Sequence, residues 1–316
     1  MNYPESVHRL MYRLNYTYRF HKWRKIHYPK KVYRYGHKQI INDLDANNLI
    51  KEKILSGKPF CAARLGSSEQ NILYNYFLYS PKKIKWDEHA VYCVNNFSGV
   101  FSVDNNSLLK FSKLYTSCLK KVDLFAIWFN EGEGQLINSY CPQADLIYLP
   151  AIEPYYFSQP WSAALKGKKV LVVHPFEDSI QDQYKNHREK LFSGKDILPE
   201  FQLKTIKAVQ TLAGNKSRFP NWFDALEYMK RQIQSTDFDI AIIGAGAYGL
   251  PLASYVKDLG KQAIHMAGAT QILFGIHGKR WDSIPEISKW FNSNWKKPYP
   301  HETPQNASKV ENACYW

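Results

Sequence analysis

A chain of 316 residues, 45% of them hydrophobic, can bury a substantial core as one large domain or two smaller ones, which excludes a disordered polymer. The longest uncharged run, Ile240 to Val256, is shorter than the roughly 20 residues that span a bilayer, and it contains three glycines and a proline, so no membrane span is expected. The net charge is +14, and five scattered cysteines without a C-x-x-C pair argue against a disulfide framework or a zinc site.

The charge is concentrated at the start. Residues 1–38 hold ten lysines and arginines against Glu5 alone, +9 of the total, mixed with nine Tyr, Trp and Phe side chains. Val7, Leu10, Met11, Leu14 and Tyr18 recur at the spacing of one helical face. A basic amphipathic arm of this kind suits an anionic membrane surface, or it packs its apolar stripe on the body; nucleic acid ranks behind both. No apolar h-region follows it, so the expected location is cytoplasmic, with peripheral attachment to the inner face of the cell membrane as one use of the arm.

From Gln39 onward, apolar runs alternate with helical patterns. Helices are expected over 40–55, 68–77, 106–119, 177–192, 221–234 and 248–258. Strands are expected at Phe60–Arg64, Asp123–Phe129, Leu146–Leu149, Val170–Val173, Thr205–Thr211, Asp239–Ile243 and Gln262–His265. This alternation predicts an α/β fold, a doubly wound, mostly parallel sheet of Rossmann-like type with helices on both faces. Residues 39–160 form its N-terminal half, 161–292 its nucleotide-binding half, and 293–316, rich in proline and without periodicity, an extended tail.

Ligands of such sheets bind at the carboxyl ends of the strands, so the residues just after each strand carry the functional reading. After the strand at Asp239–Ile243 comes Gly244-Ala-Gly246-Ala-Tyr248-Gly249, a glycine turn opening a helix, the setting of a phosphate cradle. The acidic residue that would hold a ribose hydroxyl is missing, because the next strand ends at His265, and this counts against NAD. Close strand-helix packing alone would also call for these glycines. After the strand at 60–64 come Arg64, Gly66, Ser67 and Glu69, a cation suited to phosphate and a first-turn carboxylate. Glu131 follows another strand, and His174 ends a third; both are candidates for a base, and His174 equally for a buried structural histidine. Lys279 and Arg280, after Gly275 and Gly278, bring two more cations toward the His265 strand and together suit a diphosphate.

With Arg64-Leu65-Gly66-Ser67-Ser68-Glu69 early and "DIAIIGAGAYGLPLASYVKDLGKQAIHMAG" late, the chain resembles the GT-D class of bacterial glycosyltransferases. That class carries an early R-F-G-D-G-E motif, of which Arg64, Gly66 and Glu69 match. The resemblance implies a nucleotide sugar as donor and a divalent metal, Mg or Mn, on a D-x-E pair; here Ser67 replaces the aspartate and leaves Glu69 alone. Residues 150–281 are also similar to proteins of bacterial surface-polysaccharide gene clusters, which implies a lipid-linked or polysaccharide acceptor. The expectation is a glycosyltransferase, with Gly244, Gly246, Tyr248, Gly249 and His265 around the nucleotide diphosphate and Arg64, Lys279 and Arg280 as its countercharges. Glu69, Glu131 or His174 would serve as the catalytic group. The alternatives are another NAD(P)-type sugar-modifying enzyme and a non-catalytic scaffold of a polysaccharide assembly.

Overall fold

A computed structural model describes residues 34–35, 38–79, 84–130 and 132–316. The amphipathic stretch of the arm and Glu131 lie outside these residues.

The chain folds into one nine-stranded sheet. In chain order its strands are β1 (Arg34–Tyr35), β2 (Lys38–Ile41), β3 (Phe60–Ala63), β4 (Leu124–Ile127), β5 (Asp145–Tyr148), β6 (Lys169–His174), β7 (Gln202–Lys207), β8 (Ile240–Ile243) and β9 (Gln262–His265). Their order across the sheet is β1-β2-β5-β4-β3-β9-β8-β6-β7, and every neighbouring pair is parallel except β1 with β2. The halves of the chain meet where β3 pairs with β9, Phe60 opposite Gln262. The α/β, doubly wound expectation therefore holds, with the strands of both halves in a single sheet.

β3, β4, β8 and β9 are buried along their whole length, which is why they read as unbroken apolar runs. Successive side chains alternate between two cores. Cys61, Phe125, Leu171 and Ile243 face one, under the helices Ser67–Leu78, Glu88–Asn96, Asn105–Leu119, Trp222–Gln234 and Gly249–Asp258. Phe60, Leu124, Val172 and Ile242 face the other, against the helices Asp43–Ser56 and Glu177–Leu191. Side chains of Asn42, Asp87, Asp104 and Asn221 cap four of these helices. Among the described residues, no helix is long and apolar enough to cross a membrane.

Three departures from the expected elements have physical reasons. Residues 38–41 pair as a strand, and the first long helix starts only at Asp43, where Asn42 accepts a hydrogen bond from the Asp45 N–H at 3.0 Å. β7 lies at Gln202–Lys207 rather than 205–211; as an edge strand it alternates polar and apolar residues, so the apolar run beyond it is a poor guide. The tail is not extended. Trp295, Val310, Cys314 and Trp316 are buried in the second core, and Glu302 caps the helix Glu177–Leu191 by accepting from the Asp178 N–H at 2.9 Å.

Candidate functional site

Five parallel strands deliver residues to one cleft at the carboxyl edge of the sheet. Arg64, Gly66, Ser67 and Glu69 follow β3, Trp128 follows β4, His174 ends β6, Gly244 and Gly246 follow β8, and His265 ends β9. The cleft encloses about 830 Å³, its open mouth included. Its position is where ligands of open parallel sheets bind.

Arg64 is half-buried and lies over the Trp128 indole, its guanidinium carbon 4.6 Å from the ring centre. Among the described residues it has no ion pair; burial lowers its pKa, and Glu69 and Glu153 are the carboxyl groups whose fields reach it. An arginine stays protonated in such a place, so the cleft holds a cation whose charge is not cancelled by direct contact. Trp128 is itself positioned by a buried carboxylate, because Glu133 accepts from the N–H groups of Trp128 at 3.0 Å and Phe129 at 2.7 Å. Neither Trp128 nor Glu153 stood out in the sequence, since the contacts that recruit them join separate strands.

Glu69 sits in the first turn of the helix Ser67–Leu78 and is buried. Its carboxylate folds back over Gly66 at the start of its own helix, where hydrogen bonding from its own N–H and from Ser98 would favour the charged form. A Cβ on Gly66 would lie 2.1 Å from Oε2, so the glycine is what lets the carboxylate take this place. Burial pushes the Glu69 carboxyl above its ordinary range, with the hydrogen bonds and Arg64 acting against that.

The two histidines have fixed and different roles. The Phe176 N–H donates to His174 Nδ1 at 3.0 Å, which leaves the proton of this neutral ring on Nε2. In this tautomer His174, one of the candidate bases, presents a hydrogen-bond donor at Nε2. His265 Nδ1 donates to the Ile243 carbonyl at 3.2 Å, which leaves its Nε2 as the acceptor. Burial lowers both rings to about 3, and for His265 the nearby Arg64 cation adds to the effect.

Arg280 reaches the cleft from the other side, held by the C-terminal tail. It forms an ion pair with Glu311, donates to the Tyr315 hydroxyl at 2.9 Å and lies over the Tyr315 ring at 4.6 Å. Glu311, Tyr315 and Trp316 therefore form a wall of the cleft that the expectation of an extended tail had left out. Glu311, Asn312 and Ala313 take φ values of 44°, 56° and 62°, three successive left-handed residues without a glycine. This turn points Glu311 back at Arg280.

The structure brings together Arg64, Gly66, Ser67, Glu69, His174, Gly244, Gly246, His265 and Arg280. It does not bring Tyr248, Gly249 or Lys279 to the cleft. Tyr248 is buried and stacks on Trp222, with ring centres 4.8 Å apart, so it fills a core. Gly249 packs against the His265 ring, where a Cβ would lie 1.9 Å from Cε1. Lys279 is exposed and donates to the Asn312 carbonyl at 3.3 Å, because the helical turn Lys279–Asp282 points successive side chains apart. Gly244 is equally tight, its missing Cβ 2.5 Å from the Ala267 carbonyl oxygen. These glycines serve close packing, and the turn meets the cleft through Gly244 and Gly246 alone.

The donor set does not suit a divalent metal. Glu69 is buried and folded back over Gly66 at its helix start, Ser67 stands where a second carboxylate would be needed, and Glu311 is paired with Arg280. Among the described residues, the group of acidic and histidine side chains close enough to share an ion is Asp178, His301 and Glu302, and none of them lines the cleft.

The buried groups set a pH profile of stability. Between the ordinary imidazole value of 6.5 and about 3, unfolding takes up a proton at each of His174 and His265, so stability falls with pH by about 1.4 kcal/mol per unit for each. Glu133 and Glu153, pushed up from 4.5 to about 7, and Asp43, pushed up to about 6, act in the opposite sense, because the folded chain binds their protons first. Two histidines and two glutamates offset each other between 6.5 and about 6, and from there to 4.5 Asp43 tips the balance toward the folded chain. Urea unfolding midpoints are expected to be level from pH 6.5 to about 6, to rise slightly toward 4.5 and to drop below it, where the histidines act against Asp43 alone.

No protein-family model matches the chain, and no curated protein matches it. Among solved structures it is similar to one described as "The highly conserved domain of unknown function 1792 has a distinct glycosyltransferase fold", at 12% identity over 85% of this chain and 94% of that one, with a TM-score of 0.46. A second, "Selenomethionine substituted structure of domain of unknown function 1792 (DUF1792)", is similar at 13% identity over the same shares, with a TM-score of 0.43. Both likenesses are too distant to speak to the chemistry of the cleft.

Proposed function

We propose that the cleft transfers a sugar from a nucleoside-diphosphate donor to a hydroxyl of a lipid-linked or polysaccharide acceptor, in bacterial surface-polysaccharide synthesis. The observation that carries this reading is the placing of Arg64 and Arg280 in one cleft with the Gly244–Gly246 turn and the Glu69 carboxylate. Transfer breaks the bond between the anomeric carbon and the diphosphate and forms one to the acceptor oxygen. Negative charge then grows on the departing diphosphate, and two guanidinium groups in a partly dry cleft are suited to receive it. The acceptor loses a proton, which in this reading Glu69 takes. The His174 Nε2–H offers a neutral donor to a sugar hydroxyl or phosphate oxygen. In this reading the guanidinium pair does what a D-x-E metal would do, and no step runs through a metal. The acceptor class and the setting come from the sequence resemblance, and the arm of residues 1–38 would hold the enzyme at an anionic membrane surface.

The Arg280–Glu311 pair favours a second reading, a non-catalytic binding protein, because a carboxylate already occupies one of the two guanidinium groups. Thermal-shift measurements with UDP-, GDP- and CMP-sugars, NAD(P) and divalent metals separate the cases. Stabilisation by a nucleotide sugar with slow donor consumption is the expected result. NAD(P) alone stabilising the chain would indicate a redox enzyme, and no response to any nucleotide would leave the scaffold reading.

A further inference from the structure

Beside the cleft, and sharing Pro175 and Gln210 with it, lies a second groove at the carboxyl ends of β6 and β7. Lys207, Lys216 and Arg218 line it. All three are exposed, and none has an ion pair among the described residues. The one carboxylate on the groove wall, Glu302, is turned inward and occupied by the N–H groups of Asp178 and Tyr299 and by Ser179. Arg218 is held in place by two rings, 4.5 Å from the Tyr228 centre and 5.0 Å from that of Phe219. A stacked guanidinium loses little freedom on meeting an anion.

We infer that this groove binds the phosphate or diphosphate of the acceptor, holding it next to the donor cleft. The inference rests on the glycosyl-transfer reading for the word acceptor; the anion site itself rests on the three unpaired cations. The donor's own diphosphate is matched by Arg64 and Arg280, so a second cluster of cations one wall away serves the other reactant. Two sources carry the same chemistry, a lipid-linked diphosphate and a water-soluble sugar phosphate.

The test uses the full chain carrying Arg64→Gln and Arg280→Gln, which silences the donor cleft, with and without the further changes Lys207→Ala, Lys216→Ala and Arg218→Ala. Inorganic pyrophosphate is titrated calorimetrically into both. Binding that survives the first pair of changes and weakens about tenfold or more with the second set is expected. Equal binding by both proteins, or none by either, overturns the proposal. Vesicles of phosphatidylcholine with and without a polyprenyl diphosphate, and glucose 1-phosphate in solution, then identify the source: each supports the site when its binding is lost with the groove changes. Vesicle and sugar-phosphate binding that both ignore those changes overturns the proposal. If wild-type protein binds no nucleotide while the groove binds pyrophosphate, the transferase reading fails and the anion site stands.

Discussion

Glu69→Gln is expected to lower turnover by about 10²- to 10⁴-fold while leaving donor affinity within about twofold. The amide keeps the size and place of the carboxylate, so the helix start survives, but it cannot take a proton from the acceptor. Gly66→Ala makes the same point with the carboxylate intact. Its Cβ would fall 2.1 Å from Oε2, the far end of a flexible side chain, so the fold gives way cheaply and Glu69 moves. Gly66 has φ of −72°, which alanine adopts without strain. Steady-state kinetics of both variants, with circular dichroism to confirm folding, check this; wild-type turnover in Glu69→Gln would remove Glu69 from the chemistry. In the active protein the rate should rise with pH through an apparent pKa above the ordinary 4.5, because burial raises the carboxyl that must be ionised to act.

Gly249→Ala is expected to destabilise the fold by about 1–3 kcal/mol, the range for forcing atoms into a packed core. The atom it would strike is not a free side-chain end. The His265 ring is buried, 1.9 Å from the new Cβ, and tied to the Ile243 carbonyl at 3.2 Å. Relief would require either breaking that hydrogen bond or parting the helix Gly249–Asp258 from β9. Chemical denaturation measures the loss directly, and a change below about 0.5 kcal/mol would show that the glycine turn is looser than the packing implies.

These two glycines show what was legible in the sequence and what was not. The strand-turn-helix setting of Gly244 to Gly249 was plain from the pattern, and so was the class of sheet, because central parallel strands leave uninterrupted apolar runs. Which glycines meet a ligand was not plain, since a glycine needed for a phosphate and one needed for a neighbouring side chain look alike in one dimension. The structure separates them, with Gly249 against His265, Gly246 at the cleft, and Gly244 doing both, packed against the Ala267 carbonyl while lining the cleft. Arg64 and Glu69 could be placed together because a strand end and a helix start fix them locally. Trp128 under Arg64 and Glu311 on Arg280 could not, because each depends on a contact between distant segments. The tail misled for a related reason. Its order comes from single anchors such as Glu302 on the Asp178 N–H and the Arg280 N–H on the Cys314 carbonyl at 2.9 Å, which leave no periodicity to read.

Arg64 connects these parts, as a cation set on Trp128, close to Glu69 and His265, and without an ion pair among the described residues. Calorimetric titration of the full chain and of Arg64→Gln with UDP, GDP, ADP and dTDP tests its role most directly. At least one nucleoside diphosphate should bind the wild-type chain and bind Arg64→Gln about 10- to 1,000-fold more weakly, as expected on removing a charged partner of a phosphate. Equal binding by the two proteins, or no binding of any nucleoside diphosphate by the wild-type chain, would contradict the assignment of this cleft to a diphosphate donor.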